Sequence, residues 1–326
     1  MPPVESKQTI CTLRMSFAGR PILLRTNAPK LARCVSDYLP VEHEEAESLE
    51  LPAAILTLML RSAHEPHAED AYCFRARGHF ALARFTAGDA LWFNLRTREV
   101  FGSFGTHFAS DQERLRHQVF PTLLGILAAV IDVAPVHAAC IAHPAGGVLL
   151  TGYSGAGKST LAVSLALRGY PLLADEWTYL SAYANSVEAW SIPTPVKLLP
   201  DAGRFFPELS SRRTDISLNG ERAYEVIPES CFGIARQSHT GVSFIVLLER
   251  AESPGCEIVP INAAEAINHL AREIEPLEGS LAKCYERQLN LVRQLDHTIC
   301  FRASFNDHPA AVARAIDNLL LDMSRL

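Results

Sequence analysis

The sequence predicts an α/β protein of two domains, and three observations predict it. Its 326 residues are too many for one ordinary compact unit and too few for three. Residues 9–105 carry short apolar or alternating runs bounded by Gly, Pro and Asn, the pattern of a small α+β unit made mostly of strands. From Val136 onward the order becomes strand, glycine loop, helix, strand, the pattern of an α/β unit. The expected divisions are 1–108 for the first domain, 109–134 for a connecting helix and 135–326 for the second.

In the first unit, Thr12–Phe17, Pro21–Arg25, Ala54–Leu60, His79–Phe85 and Leu91–Leu95 read as strands. Ala28–Tyr38 has helical spacing, with Leu31, Cys34, Val35 and Tyr38 on one side. The acidic stretch His43–Glu50 reads as a solvated loop, and no catalytic constellation stands out in this unit. Ser110, followed by Asp111, Gln112 and Glu113, supplies an N-cap and first-turn acids for a long helix running to about Val130.

The composition narrows the function classes. With 48% apolar and 20% charged residues the chain can bury a normal core and has no long polar tract, which excludes a disordered protein. A formal charge of -6 without a basic block argues against a nucleic-acid partner. Eight scattered cysteines with no CxxC pair read as reduced thiols of a cytoplasmic protein, not as a zinc site. Glu5 and Lys7 precede any apolar run, so no signal peptide is expected. The apolar stretches Leu51–Leu60 and Phe120–Ala134 fall short of the roughly 20 residues a membrane span needs, so no membrane anchor is expected.

The chemistry lies after residue 146. Gly147-Val148-Leu149-Leu150-Thr151 suits a buried strand, and Gly152-Tyr153-Ser154-Gly155-Ala156-Gly157-Lys158-Ser159 follows at once. This is GxxxxGK[ST] in the setting that the motif requires. Its glycines permit the close backbone approach that turns N–H groups onto phosphate oxygens. Lys158 reaches the terminal phosphates and Ser159 takes a place on Mg²⁺, with Thr160 next to it in the cradle. The helix behind it, Ser159–Arg168, adds its N-terminal amides and ends at Gly169.

The chain then returns through Leu172, Leu173 and Ala174 to Asp175 and Glu176. A right-handed crossover lays this strand parallel to the first in the same sheet and delivers two acids to the phosphate end. One carboxylate can accept a proton from an attacking hydroxyl and its neighbour can serve the metal. Trp177–Ala182 and Val187–Ile192, flanking Asn185 and Ser186, read as a hairpin, which makes the sheet mixed. The strand Phe244–Leu248 ends in Glu249 and Arg250, so Glu249 competes with Glu176 for the metal. Arg250 can stabilise charge on a transferring group, with a surface ion pair as the alternative.

Taken together, Val136-His137-Ala138, the loop Gly152–Ser159, Leu173-Ala174-Asp175-Glu176, Cys231-Phe232-Gly233 and Val246-Leu247-Leu248-Glu249 resemble the C-terminal domain of HPr kinase/phosphorylase. The resemblance spans residues 135–250, and it implies an ATP- and Mg²⁺-dependent protein serine kinase on the fold shared with phosphoenolpyruvate carboxykinase. It implies His137 in the active site, Lys158 as the loop lysine and Asp175 as the acid that takes the serine proton. The chain departs from the family at Tyr153, where an acid is usual, and at Glu176, which stands for the second acid. Ile192-Pro193-Thr194-Pro195-Val196-Lys197 replaces the LEIRG-type segment. These departures leave open the reverse reaction and HPr as the acceptor, and they resemble the HPr-kinase-like group with other targets. Lys197 either faces a phosphate or is a solvated surface lysine.

The remainder reads as a strand at Cys256–Ile261, helices at Ala263–Ile274 and Leu281–Leu295, a strand at Thr298–Ala303 and a last helix after Asp307-His308-Pro309. Three functions fit: a serine kinase acting on a protein or peptide, a small-molecule kinase on the same scaffold, and a nucleotide-dependent binding module. Kinases of the resembling kind often assemble, so a homo-oligomer is a partner to expect.

Overall fold

The computed structural model describes residues 9–42, 51–62, 72–184, 186–216 and 221–324. The stretch His43–Glu50, residues Glu5 and Lys7, and Asn185 lie outside them. The chain is mixed α/β and divides into two units, one of residues 1–132 and 276–285, the other of 133–275 and 286–326.

The first unit is a seven-stranded mixed sheet. Its strands are β1 (Cys11–Phe17), β2 (Arg20–Thr26), β3 (Ala54–Arg61), β4 (Cys73–Arg77), β5 (Phe80–Arg84), β6 (Ala90–Asn94) and β7 (Glu99–Gly105), in the order β1-β2-β3-β7-β6-β5-β4. Strands β2, β3 and β7 run parallel and the other pairs are antiparallel. Period-two alternation shows in the burial: Ile22, Leu24, Leu56, Leu58, Leu91 and Phe93 are buried, while Leu23, Ile55, Thr57 and Trp92 beside them are half-buried or exposed. Sequence reading missed β4 and β7, because β4 is an exposed edge strand and β7 carries two glycines in place of apolar side chains.

Helix α1 (Pro29–Ser36) buries Leu31, Cys34 and Val35, as its spacing predicts. The long helix is three pieces: α2 (Gln112–Arg114), a π-turn over Leu115–Val119 and α3 (Phe120–Val130). Pro121 has no N–H for the regular i→i−4 bond, which accounts for the widened turn before it. The N-cap is Asp111, whose Oδ1 accepts the Arg114 N–H at 3.0 Å, and not Ser110. The Ser110 hydroxyl turns back to the Thr106 carbonyl at 2.8 Å.

The second unit is built on a nine-stranded mixed sheet. It contains β8 (Val133–Val136), β9 (Ala139–His143), β10 (Gly146–Thr151), β11 (Leu172–Ala174), β12 (Thr178–Tyr183) and β13 (Ser186–Trp190). Three short strands, β14 (Val196–Leu198), β15 (Asp215–Ile216) and β16 (Arg222–Val226), pair separately. The long β17 (His239–Arg250), β18 (Cys256–Pro260) and β19 (Ile299–Phe305) complete the large sheet. Strand β17 lies parallel to both β10 and β19 at its centre. Strand β11 pairs with β9, not with β10; since β9 is antiparallel to both, β11 still runs in the direction of β10. The hairpin β12–β13 forms as its alternation predicts.

Among the described residues the helices that accompany these strands are α4 (Lys158–Ala166), α5 (Pro228–Phe232), α6 (Ala263–Glu273), α7 (Ala282–Arg293), which the division of the chain splits at residue 285, and α8 (Pro309–Met323). Leu150, Leu161, Leu165, Val246, Phe305 and Ile316 belong to one core in which α4 and α8 pack side by side. Beneath it, buried Asp317 of α8 takes the Arg168 Nε at 2.7 Å and the Tyr170 hydroxyl, with His143 Nε2 3.2 Å away. Burial would raise that carboxyl, but the Tyr170, Arg168 and His143 hydrogen bonds outweigh it and hold it below its ordinary value. His308 side-chain nitrogen caps α8 by accepting the Ala310 N–H. Among the described residues no helix is long and apolar enough to cross a membrane.

Candidate functional site

Strand β10 is buried from Gly147 to Thr151 and ends in the glycine loop. Gly155 and Gly157 hold φ of +80° and +98°, the left-handed region that suits glycine. At Gly152 space is the constraint: a Cβ there would lie 2.5 Å from the Leu248 carbonyl oxygen on β17. At Gly157 a Cβ would lie 2.9 Å from Arg250 Nη2. The loop closes on itself by one bond, Ala156 N–H to Tyr153 carbonyl at 3.0 Å, and α4 begins with Leu161 N–H to Gly157 carbonyl at 2.9 Å. Among the described residues the N–H groups of Gly157, Lys158, Ser159 and Thr160 have no partner. Four donors at the positive end of a helix are an anion site in waiting.

Lys158 is 7% exposed, and its ammonium donates to the Gly152 carbonyl at 2.8 Å. Burial pulls its pKa down, against Glu273, Asp175 and Glu176, which pull it up. Two acids and a third, unforeseen one therefore surround the lysine. Because β11 runs with β10, it ends just before Asp175 on the loop side of the sheet. Asp175 is 6% exposed; Oδ2 accepts the Lys197 N–H at 2.8 Å. Its Oδ1 is fully buried and has no formed hydrogen bond among the described residues. Burial pushes this carboxyl up to about 6, although the adjacent Ser159 side chain and the Lys197 N–H favour its ionised form. Glu176, beside it, is exposed.

The other wall comes from α6. His137, between β8 and β9, places Nδ1 3.2 Å from Glu273 Oε2 and its ring 5.5 Å from that of Trp177. One turn earlier on α6, His269 Nδ1 lies 3.2 Å from the Thr151 hydroxyl, and its ring meets Tyr153 edge-on at 5.1 Å. Burial lowers the His269 pKa. Sequence reading gave no role to His269 or Glu273. Their i,i+4 spacing on an amphipathic helix marked a shared face, but nothing local said which loop that face would meet.

The remaining predicted residues fall as follows. Arg250 lays its guanidinium over Phe305, Cζ 4.9 Å from the ring centroid, with Nε 3.5 Å from the Gly155 carbonyl. It thus borders the loop and, among the described residues, has no ion-pair partner. Glu249, the rival for the metal, stands 3.3 Å from Arg302 in an ion pair. The Lys197 ammonium pairs with Glu221 at 3.2 Å, so it is the backbone N–H of Lys197 that reaches Asp175. Tyr153, Ser154 and Gly155 form the exposed outer rim of the loop, and Ala156 its buried side.

No group of three or more His, Cys, Asp or Glu side chains able to hold a metal occurs among the described residues. A hard cation with most of its shell supplied by phosphate and water needs less. The Ser159 hydroxyl, the unpartnered buried Oδ1 of Asp175 and the exposed carboxylate of Glu176 are hard oxygen donors of that kind. The residues present fit Mg²⁺.

Fold and site together define a mixed α/β protein with a glycine-rich, donor-lined loop at the end of a parallel strand pair. No family model matches the chain, and no curated protein matches it. Among solved structures it is similar to that of the Hpr(Ser) kinase/phosphatase from Coxiella burnetii, with 16% identity over 58% of this chain and 97% of that one and a TM-score of 0.31. A likeness that loose carries no argument about chemistry.

Proposed function

We propose that the second unit binds ATP with Mg²⁺ at Gly152–Thr160 and transfers the terminal phosphoryl group to a serine hydroxyl of a protein or peptide other than HPr. The observation that carries this reading is the pairing of two unsatisfied groups. Four backbone donors without partners open beside a buried carboxylate oxygen without a partner, with Lys158 and Ser159 between them. Unpaired buried polar atoms are costly, and a site that keeps them is arranged for something it binds.

The loop amides and Lys158 hold the phosphates, Lys158 exchanging the Gly152 carbonyl for a phosphate oxygen. Ser159 and Glu176 would hold Mg²⁺, which supplies charge neutralisation on the phosphate oxygens when bound. Asp175 takes the proton as the acceptor oxygen attacks the terminal phosphorus and the bond to the bridging oxygen breaks. An apparent pKa near 6 leaves it mostly ionised at neutral pH yet basic enough for that task. Arg250, free to swing from Phe305, meets the charge that develops on the transferring group. Glu273 fixes the His137 ring on the opposite wall.

The test is transfer from γ-labelled ATP to serine-containing peptides by the purified chain. Lys158→Ala should lose nucleotide binding. Asp175→Asn should keep nucleotide binding and lose transfer by about a hundredfold or more. Undiminished transfer by the Asp175 variant would remove that residue as the base. Tight ATP binding with no acceptor ever labelled would instead support a nucleotide-dependent binding module.

A further inference from the structure

The seven-stranded sheet of the first unit buries one face and leaves the other open. On the open face Phe80, Trp92 and Phe101 are 54%, 42% and 45% exposed. Register aligns Leu82, Trp92, Phe101, Thr57 and Arg25 in a single row across five strands. The rings of Trp92 and Phe101 lie 5.7 Å apart. Together with Phe80, Ile55, Asn94 and Glu99 they line a cavity of about 320 Å³. This is a concave apolar patch with a polar edge, the form of a recognition surface and not of scattered exposed side chains.

Its charge says what kind of partner fits. Arg25 flanks the aromatic row on one side; Arg75 and Arg77, opposite Leu82 and Phe80, flank it on the other, with Arg84 next to them. None of these four arginines has an ion-pair partner among the described residues. Glu99 is the acid within the cavity, and it already accepts the Thr97 hydroxyl at 2.7 Å. In a chain with a net charge of -6 this face is locally positive. Two copies meeting through it would set arginine against arginine. A nucleic-acid strand needs a longer basic track than four side chains split by an apolar row and a carboxylate.

We infer that the open face of the β1–β7 sheet docks an acidic segment of a partner protein whose apolar side chains enter the cavity lined by Phe80, Trp92 and Phe101 while its carboxylates meet Arg25, Arg75 and Arg77. This goes beyond the phosphoryl-transfer reading and does not depend on it, since every residue involved lies in the other unit.

The experiment uses the whole chain and fluorescein-labelled peptides of about a dozen residues in which Glu and Asp alternate with Leu and Phe. Controls are the same peptides with Lys for each acid, and a single-stranded oligothymidylate. By fluorescence anisotropy the acidic peptides should bind, and binding should weaken as salt is raised. Trp92→Ala and the double variant Arg75→Glu/Arg77→Glu should each weaken it about tenfold or more, with ATP affinity and thermal unfolding unchanged. The inference is overturned if no acidic peptide binds, if the lysine peptides bind equally well, if the oligonucleotide binds more tightly, or if both variants bind as the parent does. Concentration-dependent dimers that disappear in Trp92→Ala would also overturn it, assigning the face to a second copy.

Discussion

Replacing Asp175 by Asn should make the protein more stable at neutral pH while abolishing the proposed phosphoryl transfer. The carboxyl is 6% exposed and its pKa is pushed from 3.8 to about 6 by burial. A gap of that size corresponds to ~3 kcal/mol by which the folded state disfavours the ionised form. The sign follows from proton binding. Between about pH 4 and pH 6 the folded chain holds a proton that the unfolded chain has lost, so stability falls as pH rises through that window. Below it the cost is absent, and above it the cost is complete. Asparagine keeps an acceptor for the Lys197 N–H and carries no charge, so the variant escapes the cost. Part of the gain is lost because its amide N–H₂ needs a partner where Oδ1 now has none. We expect a net gain of about 1–2 kcal/mol at pH 8 that falls by ~3 kcal/mol toward pH 4, where the unpartnered amide leaves the variant the less stable of the two. The assay is urea unfolding of the second unit at several pH values, for both proteins. A variant less stable than the parent at pH 8, or a difference independent of pH, would refute the assignment of Asp175 as a strained, desolvated carboxylate. Sites that trade stability for chemistry behave in the predicted way.

Two further outcomes follow from the loop and its wall. Gly152→Ala forces a methyl group to 2.5 Å from the Leu248 carbonyl, a backbone atom that cannot step aside, and should cost about 1–3 kcal/mol together with most nucleotide binding. Gly155→Ala meets open space and strains only a left-handed backbone at φ +80°, so it should cost about 1 kcal/mol and weaken nucleotide binding less; denaturation and calorimetric titration of both variants check the order. Glu273→Gln removes the largest of the charges that hold the pKa of the buried Lys158 ammonium up. The lysine should then lose its proton at lower pH, and the alkaline limit of ATP binding, read from affinity measured against pH, should move down. An unchanged limit would place Glu273 outside the electrostatics of the loop.

Much of the site was legible because it is written in consecutive residues. The strand, glycines, lysine and helix of 146–166 fold as their spacing predicts, since backbone dihedrals and first-turn amides answer to neighbours a few positions away. The hairpin at 178–190 and the amphipathic α6 and α8 were legible for the same reason. Strand β4 was not, because an edge strand exposed on both sides carries no alternation to read. The cap at Asp111 was displaced by one residue, since Ser110 found another acceptor in the preceding turn.

By itself the sequence determined the mixed α/β class, the donor-lined loop and the presence of acids at the end of the following strand. Only the tertiary structure decided which acid is buried, which is exposed, and who stands opposite. Glu273 reaches His137 across 136 residues, and His269 reaches Thr151 across 118. It also decided that Lys197 offers its backbone and not its ammonium to Asp175, and that four arginines frame one open sheet face. The physical reason is one of range. Local pattern sets dihedrals and periodicity, whereas the meeting of distant side chains depends on which faces are buried together. That choice is settled by apolar area over the whole fold, and desolvation then sets the charges at the site.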